Sequence, residues 1–507
     1  MGIAHIHSRA QVGLAAPPVR VELHLGSGLP GFTIVGLPAP VVRESKERVR
    51  AALVQCGFEF PAGRITVNLA PADLPKEGGR FDLAIALAIL VASGQLQPQL
   101  DLQRLEVYGE LALGGEIKPV PGLLLAALHG ARLEHRLLIG VGNAAEAQLA
   151  GCQRLLVAAT LADACALLKG EPVPDTPIQS TVVTAGAPLP DIADVRGQWQ
   201  GKRALIIAAA GGHSLLMTGP PGAGKSMLAQ RLPGLLPPLT HDEALEVAAI
   251  DAIAQRRAGV HQFGLRPFRS PHHTASAHAL VGGGREARPG EVSLAHRGVL
   301  FLDELPEFDR RVLEALREPL ESGVVSVSRA NLRADYPAAF QLVAAMNPCH
   351  CGWLGDPVRR CRCSPPDIER YRRRLSGPLL DRIDLHVTLR RVEAAVLAAT
   401  SAVPEPGSAQ AAQQVVLARS EQLQRQGCLN AALPAGGIVE RCRPEAAALT
   451  LLQRAVEAAA LSARATHRLL KVARSIADLE GRPAVVQADV AEALALRVPA
   501  GGAGTGH

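Results

Sequence analysis

The stretch HSLLMTGPPGAGKSMLAQRLPG, residues 213–234, constrains the fold of this chain more than any other. It joins an apolar strand, a glycine-rich turn and an amphipathic helix, which is the setting that a G-x-x-x-x-G-K-S phosphate loop requires. Such glycines let backbone N–H groups surround phosphates, and the helix N-terminus adds a favourable dipole. The stretch therefore predicts an α/β domain that binds ATP. The loop residues are Gly219, Pro220, Pro221, Gly222, Ala223, Gly224, Lys225 and Ser226.

A phosphate loop needs an acidic partner, and the segment GVLFLDELPEF supplies one. Its apolar residues 299–302 predict a buried parallel strand that ends in Asp303 and Glu304. We expect Lys225 to reach the terminal phosphates, and Ser226 and Asp303 to hold magnesium. Glu304 is predicted to polarise the attacking water. The alternative is a surface acidic pair that caps a helix.

A third apolar strand, in FQLVAAMNP, ends in Asn347. In ring ATPases, a polar residue at this strand end contacts the γ-phosphate or its water. Taken alone the feature would carry little weight, but it follows the two motifs above in the expected order. Asn347 is therefore predicted to sense the nucleotide.

Two arginines are candidates for contacts with the γ-phosphate. Arg382, in LLDRID, lies where ring ATPases present an arginine to the neighbouring subunit. Its alternative is an ion pair within the chain, to Asp381 or Asp384. Arg464 opens a predicted helix near the C-terminus and is the candidate second sensor, with Arg468 as its rival.

The densest cysteine cluster lies in NPCHCGWLGDPVRRCRCSP, directly behind Asn347. Two C-x-C pairs separated by nine residues supply four thiolates, which is the ligand set of a closed, structural zinc site. Buried free thiols and an iron–sulfur cluster are the alternatives. We call residues 349–363 the cysteine knuckle. Its predicted zinc ligands are Cys349, Cys351, Cys361 and Cys363.

Two basic segments predict contacts with DNA phosphates. Seven arginines lie between residues 359 and 374, although most such charge runs are simply solvated. A second segment, GVVSVSRANLRADYPAAF, alternates like a hairpin with basic residues near its tip. The predicted DNA-binding residues are Arg329, Arg333, Arg359, Arg360 and Arg362.

The insertion RPFRSPHHTASAHALVGGGREARPGEVSLAH lies between the phosphate loop and the acidic strand. Its paired histidines, His272 and His273, suggest a metal, yet no cysteine or regular third ligand accompanies them. We therefore favour a loop or substrate contact for them and for Arg285 and Arg288.

Length and composition limit the remaining possibilities. A chain of 507 residues predicts about three domains. Only 3% of the residues are aromatic, which disfavours a protein that binds single-stranded nucleic acid by stacking bases on aromatic side chains. The net charge of +6 is mild. The longest apolar run, residues 83–92, is too short to cross a bilayer, and no secretory signal is visible. We therefore expect a cytoplasmic protein without membrane contact.

Breaks in composition predict the domain organisation. Residues 1–170 alternate apolar strands and helical stretches, and residues 171–190 form a linker rich in Pro, Thr and Ser. The phosphate-loop domain is predicted over 191–392. After another break, residues 408–499 show the apolar spacing of helices.

Together, the segments GPPGAGKS, RPFRSPHHTASAHALVGGG, PGEVSLAHRGVLFLDELPEF and LSGPLLDRIDLHV resemble the ComM (YifB) family of magnesium-chelatase-like AAA+ ATPases over essentially the whole chain. The resemblance implies an α/β fold class: an N-terminal Lon-protease-like α+β domain, an AAA+ core and a C-terminal helical lid. It also implies a homohexameric, Mg²⁺- and ATP-dependent DNA motor for branch migration in natural transformation, with a possible recombinase partner. A chelatase ATPase subunit and a protein-remodelling ATPase are the alternatives.

The Lon-like resemblance raises the question of proteolysis, which needs a serine nucleophile and a lysine base. Arg80 stands at the approximate place of the serine, and Leu124 at that of the lysine. With both members of the dyad missing, peptide hydrolysis is not expected. A scaffold or DNA-binding role remains for this domain.

Overall fold

The computed structural model describes residues 2–173, 189–255, 263–284, 287–329, 332–392, 407–459 and 461–497. Most of the predicted linker 171–190 lies outside these residues, as do Arg285 and the break at 393–406. Within them, the fold is mixed α/β with a parallel sheet, which confirms the predicted class.

The N-terminal part of the chain forms a seven-stranded mixed sheet in the order β3-β4-β2-β1-β5-β8-β9. Antiparallel pairing joins β1 to β2 and β2 to β4, whereas the remaining neighbours pair in parallel. The strands are β1 Gly2–Arg9, β2 Pro18–Gly26, β3 Gly31–Val35, β4 Arg64–Ala70, β5 Leu105–Tyr108, β6 Glu110–Leu111, β7 Ile117–Lys118, β8 Arg136–Gly140 and β9 Leu155–Ala158. The helices are Pro40–Arg43, Ser45–Gln55, Asp82–Ala92, Leu123–Arg132, Ala144–Leu149 and Leu161–Leu168.

The long apolar run of the sequence becomes the helix Asp82–Ala92, which packs on β1 and β2. Every residue from Leu83 to Leu90 is buried, so this helix is apolar on all sides because it lies inside the core. Among the described helices, none is both long and apolar enough to cross a membrane.

A second, five-stranded sheet is wholly parallel, in the order β11-β14-β17-β10-β18. Its strands and the two small hairpins beside it are β10 Leu215–Thr218, β11 Phe268–Arg269, β12 Gly282–Gly283, β13 Arg288–Pro289, β14 Val299–Leu302, β15 Val324–Arg329, β16 Leu332–Pro337, β17 Gln341–Met346 and β18 Leu385–Thr388. Strands β14 and β17 are buried throughout, which explains why β14 is wholly apolar and why β17 is apolar after Gln341. The phosphate-loop, Asn347 and acidic strands are therefore neighbours, and their carboxyl ends share one edge.

Helices cover both faces of this sheet and form the C-terminal part of the chain. Those of the sheet region are Trp199–Gly211, Lys225–Arg231, His241–Gln255, Ala277–Val281, Glu291–Leu294, Arg310–Ala315, Pro319–Ser322, Pro365–Arg372 and Gly377–Leu380. The C-terminal helices are Ser408–Gln426, Ile438–Cys442, Ala446–Ala459, Ala463–Leu479 and Gln487–Ala495. Helix Ala463–Leu479 packs on Trp199–Gly211, so the two regions share a hydrophobic core.

The N-terminal sheet region contacts the parallel-sheet region directly. Leu14 packs against the hydrophobic clusters of both regions, and a Cβ on Gly13 would lie 3.2 Å from the side chain of Ala334 in β16. Helix Leu123–Arg132 packs against His241–Gln255. The N-terminal region therefore rests against strand β16 of the β15-β16 hairpin.

The predicted basic hairpin is confirmed as an antiparallel pair of β15 and β16. Arg329 lies opposite Leu332, and Arg333 lies opposite Ser328. The side chains of Arg329 and Arg333 lie outside the described part of the chain, so their DNA contact stays a prediction.

Candidate nucleotide site and cysteine knuckle

The phosphate loop runs from the end of β10 to the helix Lys225–Arg231. Gly222 and Gly224 adopt positive φ angles of 78° and 87°, which side chains rarely tolerate. A Cβ on Gly219 would lie 2.8 Å from the carbonyl oxygen of Leu389. Glycine is therefore required at these positions for the loop to close around phosphates.

Lys225 is buried under the loop. Its Nζ donates to the carbonyl oxygens of Gly219 at 2.6 Å and Pro220 at 3.0 Å, and to Oδ1 of Asn347 at 3.0 Å. Burial lowers the pKa of Lys225, whereas the nearby carboxylates of Asp303 and Glu304 oppose that shift. The ammonium group is thus held at the loop. Its three acceptors are neutral oxygens, which the charged oxygens of a phosphate group can displace.

Ser226 and Asp303 meet across the edge of the sheet. The Ser226 hydroxyl donates to Oδ2 of Asp303 at 2.7 Å. A hydroxyl and a carboxylate are oxygen ligands that magnesium accepts together with substrate phosphates. The donor set fits the magnesium site predicted for these two residues.

Glu304 follows β14 in a left-handed backbone conformation, with φ 52° and ψ 45°. A non-glycine residue in this region is strained, and such strain is typical of functional sites. The Glu304 N–H donates to Oδ1 of Asp303 at 2.9 Å, and the Glu304 side chain is 52% exposed. The strained turn therefore presents a carboxylate at the same edge as Asp303, where solvent water can reach it.

The structure also brings a residue to Glu304 whose role was not predicted. Nδ1 of His273 lies 3.1 Å from Oε2 of Glu304, and the His273 ring lies 4.2 Å from the ring of His272, tilted by 33°. His273 follows β11, which pairs with the acidic strand β14. The paired histidines could be found from the sequence, but their contact with Glu304 depends on strand order, which the sequence does not display.

We expect His273→Ala to lower kcat for ATP by about 10- to 100-fold with little change in KM, because Glu304 loses the contact that orients its carboxylate. His273→Asn keeps an N–H near the position of Nδ1 and should recover most of the rate. Steady-state ATP turnover of the three proteins checks this. An unaltered kcat in the alanine variant would show that the contact does not position Glu304.

Asn347 links the phosphate loop to the cysteine knuckle. Its side chain accepts from Lys225, and it directly follows β17. Gly352 has a φ of 82°, and a Cβ there would lie 2.7 Å from Cδ of Pro221. The knuckle therefore packs against the phosphate loop itself, at the position where Asn347 and Lys225 meet.

The four predicted zinc ligands converge. Their sulfur atoms lie within 4.8 Å of one another, and they form the one metal-compatible cluster of three or more such side chains in the described parts of the chain. Three sulfur–sulfur distances are 3.4, 3.6 and 3.6 Å. Tetrahedral zinc with Zn–S bonds of about 2.3 Å places its sulfurs about 3.8 Å apart. The donor set fits zinc and leaves no open coordination position.

Local hydrogen bonds prepare one of these thiols for ligation. Burial disfavours the Cys351 thiolate, but the backbone N–H groups of Arg362 and Trp353 lower its pKa to about 6. The N–H of Cys363 favours ionisation of Cys361, yet burial and the neighbouring sulfurs raise the pKa of Cys361 to about 12. The Cys351 thiolate is therefore favoured at neutral pH, and metal binding displaces the proton of Cys361.

Arg382 is 7% exposed and pairs with neither of the two aspartates considered from the sequence. Its Nη2 lies 2.7 Å from Oε1 of Glu321, and its Nη1 donates to the carbonyl of Pro378 at 2.6 Å. The predicted alternative, a pair with Asp381 or Asp384, is therefore wrong among the described residues. Glu321 lies in no recognised motif, so no sequence signal indicates it.

The two C-terminal sensor candidates have different partners. Arg464, in the first turn of helix Ala463–Leu479, contacts the same Glu321 oxygen as Arg382. Arg468 instead contacts Oδ1 of Asp384 at 2.5 Å and the carbonyl of Arg382 at 2.6 Å. Arg464 and Arg382 thus share one carboxylate, whereas Arg468 holds the backbone around it.

The basic side of the cysteine knuckle faces solvent. Arg359, Arg360 and Arg362 are exposed, and the Arg359 guanidinium lies 4.5 Å from the centre of the Trp353 ring. That cation–π contact limits the motion of Arg359 while leaving its N–H groups available. The predicted DNA-binding arginines of the knuckle are therefore accessible to a polyanion.

The N-terminal region places Arg80 and the segment before Leu124 side by side. Arg80 donates to the carbonyl of Pro121 at 2.7 Å and to Gln11 at 2.9 Å, and burial lowers its pKa. Leu124 is wholly buried in the hydrophobic core. The two positions where a Ser–Lys dyad was sought hold an internal cation and a core side chain, neither of which is a nucleophile.

Family models for magnesium chelatase match most of the chain. The model "Subunit ChlI of Mg-chelatase" matches residues 21–143, "Magnesium chelatase, subunit ChlI" matches 191–397, and "Magnesium chelatase, subunit ChlI C-terminal" matches 405–497. The phosphate loop, the acidic strand, Asn347 and the cysteine knuckle all fall within the second of these matches.

Full-length relatives are more similar. Competence protein ComM of Haemophilus influenzae is 48% identical over 501 residues, which cover 98% of this chain and 98% of that protein. The uncharacterized protein YifB of Escherichia coli is 47% identical over 498 residues, covering 98% and 97% of the two chains. The magnesium-chelatase 38 kDa subunit of Cereibacter sphaeroides is 28% identical over 169 residues, covering 30% of this chain and 51% of that subunit.

Proposed function

This chain belongs to the ComM (YifB) family of magnesium-chelatase-like AAA+ ATPases, and on that premise we propose that it is an ATP-hydrolysing motor that moves DNA. One observation carries the proposal. Lys225, the Ser226–Asp303 pair, Glu304 and Asn347 meet at the carboxyl edge of one parallel sheet. Ligands of open α/β sheets bind at this edge.

Each of these residues has a role in hydrolysis. Lys225 and the glycine loop bind the β- and γ-phosphates, and Ser226 with Asp303 holds magnesium, which neutralises phosphate charge. Glu304 accepts the proton of the attacking water, and Asn347 fixes the position of that water or of the γ-phosphate. Because Lys225 donates a hydrogen bond to Asn347, a phosphate that binds Lys225 also changes the hydrogen bonding of Asn347.

The two arginines that share Glu321 complete the site in a ring. We assign Arg382 to the γ-phosphate of the neighbouring subunit and Arg464 to a second sensor. In the single chain Glu321 holds both guanidinium groups, and Nε of Arg382 has no hydrogen-bond partner within the described residues. A phosphate group competes with Glu321 for these donors, which supports a homohexamer as the working form.

The proposed DNA contacts come from the β15-β16 hairpin and the cysteine knuckle. Arg329 and Arg333 flank the end of the hairpin, and Arg359, Arg360 and Arg362 supply cations beside the phosphate loop. Arginine binds phosphodiesters through paired N–H groups. DNA on these surfaces lies close to elements that change with the nucleotide, as a translocase requires.

The finer role that we propose is branch migration during homologous recombination in natural transformation. ComM of Haemophilus influenzae is named a competence protein, and this chain matches it over nearly its full length. Competence involves integration of incoming DNA into a homologous duplex. A hexameric motor that drives a branch point, together with a recombinase, fits that task.

A second candidate is the ATPase subunit of a metal chelatase, because the family models and the Cereibacter sphaeroides subunit carry that name. The shared segment of that subunit covers only 30% of this chain. The exposed arginines of the cysteine knuckle favour a polyanion over a tetrapyrrole. Protein remodelling is the third possibility, and which substrate accelerates ATP turnover separates the three.

The test is ATP turnover by the purified protein alone and with single-stranded DNA, duplex DNA, a three-way junction or casein, each beside Lys225→Ala. We expect stimulation by single-stranded or branched DNA and loss of turnover in the variant, because Lys225 binds the phosphates. Stimulation of ATP turnover by casein and by none of the DNAs would favour protein remodelling as the function. Indifference to every polymer would favour chelation.

A double variant, Arg329→Ala with Arg333→Ala, locates the DNA contact. We expect most of the DNA stimulation to disappear while nucleotide binding persists, because the hairpin is separate from the phosphate loop. Titration with a fluorescent ATP analogue monitors nucleotide binding. Full DNA stimulation in this variant would remove the hairpin from the proposal.

A further inference from the structure

A cationic cleft lies beside the turn that carries the catalytic glutamate. Its volume is about 470 Å³, and it is lined by Pro306, Glu307, Phe308, Arg310, Arg370, Arg373 and Arg374. Four arginines and one glutamate line the cleft, so the lining itself carries a net positive charge. The phosphate loop and the hairpin contribute none of these residues.

We propose that this cleft binds phosphates of the DNA backbone, as a contact additional to the hairpin and the knuckle. The inference rests on the proposed DNA motor, because it names a further site for the same polymer. Guanidinium groups bind phosphate oxygens through two parallel N–H donors, and several of them along one cleft suit consecutive phosphates. The volume falls in the range of ligand clefts and exceeds the size of a single phosphate.

The arginines of the cleft are available for an incoming anion. Arg370 is 80% exposed with a 3.5 Å pair to Asp367, and Arg373 is 77% exposed with a 2.5 Å pair to Glu369. Exposed pairs of this kind contribute little, so phosphate can replace them. Arg310 makes no ion pair within 4 Å among the described residues.

The fourth arginine connects the cleft to the site of hydrolysis. Nη1 of Arg374 donates to Oε2 of Glu307 at 2.5 Å and to the carbonyl of Pro306 at 3.3 Å. Both partners lie in the short turn Leu305–Glu307, which directly follows Glu304. A phosphate that draws Arg374 away from this turn changes the restraint on Glu304. Phosphate binding in the cleft thereby alters the position of Glu304 at the ATPase site.

The test measures binding of a fluorescent single-stranded oligonucleotide over a range of salt concentrations without nucleotide. Each phosphate contact contributes about 0.7 to the slope of log K against log salt for single strands. We expect Arg373→Ala to lower the slope by about 0.7, and Arg370→Ala with Arg373→Ala to lower it by about 1.4. The ratio of DNA-stimulated to DNA-free turnover should fall with it.

Arg372→Ala is the matched control, because Arg372 is an exposed neighbour in the same helix that does not line the cleft. It should keep the slope of the unmodified protein. An unchanged slope in the double cleft variant would overturn the inference. With the slope unchanged, a changed KM for ATP would assign the cleft to nucleotide binding. A changed oligomer mass with the slope unchanged would assign it to a contact between subunits. Failure of the unmodified protein to bind DNA would refute the DNA motor itself.

Discussion

Replacing the proposed catalytic base, Glu304→Gln, is expected to lower ATP turnover by about 10²- to 10⁴-fold, because glutamine cannot accept the proton of the attacking water. Nucleotide binding should persist, since Lys225 and the Ser226–Asp303 pair are untouched. Glutamine also keeps an oxygen that can accept from His273. We therefore expect trapped ATP and a ring that is more stable than that of the unmodified protein.

Two measurements check this result. A single-turnover assay gives the rate of the chemical step, and sedimentation with ATP gives the oligomeric state. Lys225→Ala is the contrasting variant, because it should lose ATP affinity and ring formation together. Normal hydrolysis by the Glu304→Gln protein would show that another group is the base, and the strained turn at residue 304 would need a different explanation.

The motifs and the strands that carry them could be predicted from the sequence because their chemistry is local. The strand Val299–Leu302 has the expected bounds, and Asn347 follows its strand as expected. Four cysteines within one short loop also have little freedom to separate, so their convergence follows from spacing. In each case a few neighbouring residues determine both the geometry and the chemistry.

The partners of these groups could not be predicted, because they are set by strand order and packing. His273 contacts Glu304 because β11 lies beside β14, and the sequence does not display that order. Arg382 pairs with Glu321, about sixty residues earlier in the chain, and not with an adjacent aspartate. Contacts between charged groups that are distant in the sequence could therefore be identified only from the structure.

The contacts of the cysteine knuckle give the proposed zinc site a role beside Asn347, the proposed nucleotide sensor. It contacts Pro221 of the phosphate loop through Gly352, and His350 lies 4.0 Å from Glu307. Arg374 reaches the same Glu307 from the arginine-rich segment. A rigid knuckle can therefore connect the phosphate loop, the turn after Glu304 and the basic surface.

Removal of zinc is expected to disable the protein, because the knuckle has few apolar residues to order it without metal. Structural zinc supplies about 10–16 kcal/mol of apparent binding energy in small zinc domains, and part of that energy becomes folding energy. We expect one zinc per chain in the purified protein. Cys351→Ala should abolish that zinc, lower the Tm and weaken ATP binding by about 10-fold or more, because the phosphate loop loses its neighbour.

Cys428→Ala is the matched control, since Cys428 is a free cysteine outside the four-sulfur cluster. That variant should keep its zinc and its ATP affinity. Metal content by atomic spectroscopy and thermal unfolding with and without a zinc-selective chelator distinguish the outcomes. A metal-free protein with an unchanged Tm and full ATP binding would show that the four thiols are structural without a metal. Side-chain packing alone, without a metal, would then connect the phosphate loop to the exposed arginines of the knuckle.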